Sequence, residues 1–207
     1  MKTDVVKVKN SGEGFDTALQ AASFAALYRG LDKKNSIRLR LLAEEMLGMI
    51  RQITGETEAD FWVESEGMSF ELHLVTHPAV TGKMRRELLG ASTSGKNEAA
   101  AGVMGKIRDI IDRALEEDEN MVMPDYYTDG LYMPSEMELV DPLMHSATIG
   151  MLNWSMRSYM NAVEEKNPNS AEWDELEKSI VANIADDIKI AIAGSKVEMT
   201  AYKKFDK

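Results

Sequence analysis

Cysteine is absent from all 207 residues of the sequence. Disulfides and cysteine metal sites are therefore excluded, and a cytoplasmic protein is the natural expectation. No apolar stretch reaches the length of a membrane span, so no membrane partner is expected. Met1 to Asn10 scatters charges instead of building an apolar run, so no signal peptide is expected there. Positive charge is scarce too. Lys and Arg number 24 against 35 Asp and Glu, for a formal net charge of −11. A nucleic-acid partner demands a basic surface, so direct binding to one is not expected. A basic protein partner remains compatible.

What is present suits a folded domain. Apolar residues make up 44% of the chain, enough for a real core in one sizeable domain. Methionine is abundant, at 15 residues. It packs adaptably, and core filling is preferred here over a promiscuous binding surface.

Val5 to Lys9 alternates as a short strand, and Phe15 to Leu31 has the apolar spacing of a helix ending near Gly30. A second helix follows to about Gly55. Phe61 and Val63, then Phe70, Leu72 and Leu74, alternate as a hairpin turning at Glu66-Gly67. From Thr81 to about Ser170 the pattern is mainly helical: one helix over Glu98 to Glu117, a Tyr-rich loop over Asn120 to Ser135, and a longer helix over Glu138 to Lys166. Asn169 with Glu172 suggests a capping box for a last helix over Ala171 to Ala185. Ile188, Ile190 and Ile192, a Gly194-Ser195 turn, and Val197, Met199 and Ala201 read as a closing hairpin.

The second helix carries the most informative pair. Leu39, Leu42, Met46, Met49 and Ile53 form one apolar stripe. Ile37, Leu41, Glu44 and Gly48 fall on the other side. Glycine inside a helix costs roughly 1 kcal/mol relative to alanine. Either something needs close approach at Gly48, or a larger residue has been lost.

In element order and local sequence the chain resembles the GHKL (histidine-kinase-like) ATPase superfamily, closest to bacterial anti-sigma-factor serine kinases. Val5 to Val75 carries one part of the likeness, and Leu41 to Ile50 lies without gaps on the family's first ATP motif. Ser179 to Ile190 with the terminal hairpin carries the other. The resemblance implies a single domain over 1–207, α+β in class. It would be a two-layer α/β sandwich with a mostly antiparallel sheet and helices on one face. A helical insertion, 81–170, would stand in place of the ATP lid.

The family's functional residues map poorly onto this chain. The first motif implies a glutamate that polarises water or a hydroxyl, matched by Glu44. Four residues on it implies an asparagine for Mg²⁺, where this chain has Gly48. The second implies Asp-x-Gly-x-Gly. Here Thr76 stands for the Asp, and Pro78 and Val80 replace the glycines. The third implies a glycine-rich turn holding the triphosphate, where this chain has Glu175 and Glu177. Carboxylates there repel polyphosphate. Three separate losses imply that ATP and Mg²⁺ are not bound in the usual way, so no cofactor is expected.

Gly90 to Lys96 is nearly a Walker A loop, but the helical, charged segment before it favours a plain small-residue loop. His73, His77 and His145 are the only histidines, and a structural role is favoured for them. Asp125-Tyr126-Tyr127 with Tyr132 and Met133 fits buried packing better than an exposed docking loop.

The leading expectation is a non-catalytic regulatory module that binds a protein, by resemblance a sigma factor or its regulator. The family habit of pairing through the N-terminal strand and helix makes a homodimer a candidate. Two alternatives stand beside it. One is an active ATP-dependent serine/threonine kinase with Glu44 as base and ATP with Mg²⁺ bound. The other is a small-molecule sensor using the vacated pocket.

Overall fold

Period-two alternation of apolar and polar residues builds one sheet, and helices cover its apolar face. The computed structural model describes residues 1–51, 58–76, 102–114, 125–132, 151–193 and 196–206. Among the described residues six strands form a single sheet: β1 (Val6–Lys9), β2 (Glu58–Glu66), β3 (Ser69–Thr76), β4 (Met151–Ser155), β5 (Asp187–Ala193) and β6 (Lys196–Lys204). Their spatial order is β1-β2-β3-β6-β5-β4, and every pairing is antiparallel.

Register shows how the faces divide. Phe61 pairs with Leu74, Leu74 with Met199, Met199 with Ile190, and Ile190 with Trp154. All five side chains are buried. The next row runs Trp62, His73, Thr200, Lys189 and Ser155, and it lies on the opposite face.

The helices are α1 (Phe15–Tyr28), α2 (Lys33–Arg51), α3 (Gly102–Ala114), α4 (Asp125–Asp129), α5 (Met156–Lys166), α6 (Ala171–Lys178) and α7 (Ile180–Ile184). The first, α1, packs on β1 and β2, while α2 packs on α1, β3 and α7. Both α3 and α5 pack on α6, and α5 also reaches β4 and β5. The end of α1 is a Schellman turn. Gly30 has φ 71°, its N–H bonds Leu27 O, and Leu31 N–H bonds Ala26 O. Asp32 then caps α2 by accepting from Asn35 N–H at 2.7 Å.

Several expectations needed correction. Met151–Ser155 is an edge strand, not part of a helix over Glu138 to Lys166, so the segment 81–170 is not purely helical. Its Met and Leu spacing suits a helix, but pairing with the Ile-rich β5 decides the conformation. Ser155 then opens α5, its hydroxyl oxygen accepting from Ser158 N–H. The last helix breaks at Ser179, which ends α6 and caps α7 by accepting from Ala182 N–H. Ser170, not Asn169, caps α6. Glu66 pairs with Ser69, so the first hairpin turns at Gly67-Met68 rather than Glu66-Gly67. Asp125–Asp129 is helical rather than loop. Residues 138–150, Gly194 and Ser195 lie outside the described residues. Among the described residues no helix is long and apolar enough to cross a membrane.

Candidate functional site

The buried face of α2 is wider than one stripe. Leu39, Leu42, Ala43, Met46, Leu47, Met49 and Ile50 are all buried, while Ile53 lies outside the described residues. Glu44 points to solvent and makes no hydrogen bond or ion pair among the described residues. A Cβ built on Gly48 would meet no described heavy atom within 4 Å. Close packing therefore does not require this glycine, and the position offers no oxygen to a metal.

Thr76 ends β3 on the buried face, and its hydroxyl donates to Glu58 O at 2.9 Å. That proton is committed to the sheet. Pro78, Val80, His77, His145 and Gly90 to Lys96 lie outside the described residues.

Glu175 and Glu177 sit on α6, whose N-terminus is filled. The Ser170 hydroxyl oxygen accepts from Trp173 N–H at 3.2 Å, and Glu172 and Asp174 occupy the first turn. Those carboxylates already answer the helix dipole. Glu175 accepts from Lys106 Nζ at 2.5 Å. Glu177 is exposed and accepts from Trp173 Nε1 at 3.1 Å. One of the two acids expected to repel phosphate is thus neutralised by a lysine.

Lys106 was not marked by any motif. It occupies the apolar stripe of α3, among the buried Val103, Ile107 and Ile110, and is only 8% exposed. A lone cation on an apolar helix face was the available signal. Burial opposes its charge, but the Glu175 hydrogen bond, aided by Tyr159, outweighs burial and holds the ammonium pKa above its ordinary value. The ammonium also lies 5.5 Å from the centre of the Tyr159 ring.

A cleft of about 590 Å³ opens between α3, α4, α5 and α6. This volume is in the range of small-molecule sites. Lys106, Glu172 and Glu175 line one side, and Asp125, Asp129 and Tyr126 line another. Lys166 donates to both oxygens of Asp129, at 2.7 and 2.8 Å. The Tyr126 hydroxyl donates to Asp109 Oδ2 at 2.5 Å. Tyr159 is buried, and its hydroxyl lacks a hydrogen bond of ordinary geometry, although the Lys106 charge lies nearby. Burial raises the Tyr159 pKa, and Lys106 partly offsets the rise. Four carboxylates against two ammonium groups favour a cationic or neutral polar ligand over an anion.

No residue of α2 lines this cleft. The structure joins Glu175 to Lys106 and Tyr159, and it leaves Glu44 and Gly48 apart from them. Tyr126 and Tyr127 are half-buried against the core, in line with the packing reading. His73 is also structural in its contacts. It stacks on Trp62 at 4.7 Å between ring centres.

A scan of the sequence against protein-family models finds no match, and neither does a search among curated proteins.

Proposed function

We propose that this chain is a non-catalytic regulatory domain that binds a protein and resembles an anti-sigma factor with a lapsed GHKL-type ATP site. On this reading its partner is a sigma factor or a regulator of one. One observation carries the reading. At the position matched to the triphosphate-holding glycines, Glu175 lies on a serine-capped helix and is bonded to Lys106. A phosphate there would compete with a carboxylate for the lysine and would meet Glu172 nearby. Gly48 supplies no magnesium ligand and has open space around it. These residues do not fit Mg-ATP. The kinase alternative rests on Glu44, which is exposed and apart from the cleft.

Calorimetric titration with Mg-ATP tests the reading. No binding heat is expected. A saturable, magnesium-dependent isotherm would overturn it.

A sensor reading is supported at a different place from the vacated ATP pocket, in the cleft beside Tyr159, whose buried hydroxyl has only the Lys106 ammonium close by among the described residues. A saturable thermal shift with a short diamine, lost in Tyr159→Phe, would favour that reading.

A further inference from the structure

The α1–α2 corner joins exposed apolar side chains to a run of basic ones, and among the described residues Lys33, Lys34 and Arg38 have no acid partner. Phe24, Leu27, Tyr28 and Ile37 are 57%, 76%, 62% and 49% exposed. They are four of the seven large apolar side chains that stand exposed among the described residues. Phe24, Leu27 and Tyr28 follow helical i, i+3, i+4 spacing, so they share one face of α1. The Phe24 and Tyr28 rings lie 6.4 Å apart.

The Arg40 guanidinium on α2 donates to the Ser23 hydroxyl on α1 at 3.5 Å. Ile37 lies about one turn from Arg40 toward the connecting loop, and Leu27 one turn from Ser23 toward the same loop. The corner thus carries an apolar face on α1 and a further exposed apolar side chain at the start of α2.

Positive charge is concentrated where α1 gives way to α2, and the nearest exposed acid on the Ile37 side of α2 is Glu44, two turns further on. Residues 29–40 contain five basic side chains and one acid, within a chain of net charge −11. That acid, Asp32, is committed to the α2 cap. Lys33, Lys34 and Arg38 are exposed and make no ion pair among the described residues. Several lysines elsewhere are paired, Lys2 with Glu64, Lys7 with Asp60, Lys106 with Glu175 and Lys203 with Asp186. Lys178, Lys189 and Lys204, unpaired among the described residues, have no such group of exposed apolar side chains beside them in sequence.

The geometry points to this corner as the docking surface for an acidic amphipathic helix of another protein. The inference rests on the protein-binding reading and names the surface and the partner's chemistry. A helix laid along the α1–α2 pair would seat apolar residues on Leu27 and its neighbours and set acids against Lys34 and Arg38. Electrostatic complementarity then selects the partner and speeds its encounter. A second copy fits less well, because a two-fold contact through this patch would oppose Lys34 and Arg38 with themselves. An anionic membrane fits less well too. A flat lipid surface would set anionic headgroups against the exposed Glu44 on the same side of α2 as Ile37. A single helix can lie clear of it.

The test uses the full chain and a fluorescent synthetic helix of about 18 residues, with Leu at i, i+3, i+4 and i+7 and Glu elsewhere. Controls replace Glu with Lys or scramble the Leu spacing. Fluorescence anisotropy should show binding of the acidic helix alone. Leu27→Asp, and separately Lys34→Glu with Arg38→Glu, should each weaken it by about tenfold or more. Circular dichroism should be unchanged, since these side chains are exposed. Higher salt should weaken binding in the wild type. No binding, equal binding of the Lys helix or the scrambled helix, or indifference to Leu27→Asp would each overturn the proposal. So would co-sedimentation with vesicles containing anionic lipid, or self-association that Leu27→Asp abolishes. A Mg-ATP isotherm would sink the lapsed-ATPase reading without touching the peptide result. Peptide failure without ATP binding would sink this surface alone.

Discussion

Lys106 and Glu175 meet at 2.5 Å where α3 packs on α6, and the carboxylate end is far more open to water than the ammonium end. The two substitutions should therefore differ. Glu175→Gln strands a buried ammonium. The penalty for a fully buried pair is about 3–5 kcal/mol, but access of water to this site reduces the expected loss to about 1–2 kcal/mol. Lys106→Met leaves a carboxylate that water can solvate, so its cost should stay within about 1 kcal/mol. Urea unfolding of both variants measures this. A larger loss for Lys106→Met would contradict the assignment.

The same pair sets a pH dependence on the alkaline side. The folded state holds the Lys106 proton above the ordinary value of 10.5. Between that value and the raised one, the folded state binds more protons than the unfolded state. The contribution is therefore complete below pH 10.5 and is lost as pH rises through the folded value. Subtracting the Lys106→Met curve from the wild-type curve should isolate that loss.

His73 acts at the opposite end. Burial is the main cause that lowers its pKa below 6.5, against the raising influence of Glu64, Glu71 and Glu198 and with Lys2 acting alongside burial. Trp62 stacks on the ring and the Thr200 hydroxyl lies 3.3 Å from Nδ1. The unfolded chain takes up the proton first, so stability falls as pH drops below 6.5 toward the folded value. His73→Gln should remove this part of the acid loss. Urea midpoints above and below pH 6.5 check it.

Gly48→Ala should stabilise the domain by about 0.5–1 kcal/mol, since a Cβ there meets open space and alanine is the better helix former. A destabilised variant would mean that the position is packed after all. Gly130 should behave in the opposite way. A Cβ on it would lie 1.7 Å from Nε1 of the buried Trp154, which donates to Tyr126 O at 2.9 Å. Gly130→Ala should cost about 2–3 kcal/mol and displace the indole, visible in thermal unfolding and tryptophan fluorescence.

Both hairpins were legible because alternation has one meaning when one face is buried. Ile188, Ile190 and Ile192 could only line the core together, and they do. The α1–α2 pair was equally plain from its apolar spacing. The break at Ser179 was not, because the apolar pattern runs on through a residue that caps two helices at once. The candidate cleft was less legible still. Glu175 stood out only by its place in a motif, and its partner Lys106 lies 69 residues earlier.

By itself the sequence determined the local periods: two alternating hairpins, an apolar α2, and a glycine at 48 where the resemblance implies a metal ligand. Those follow from backbone geometry and side-chain polarity over a few residues. The tertiary structure decided that Met151–Ser155 is a strand, because its conformation depends on pairing with β5. It also decided that Glu175 is an ion-pair partner and not a bare repulsive charge. A charge takes its role from the groups packed around it, and those come from distant parts of the chain.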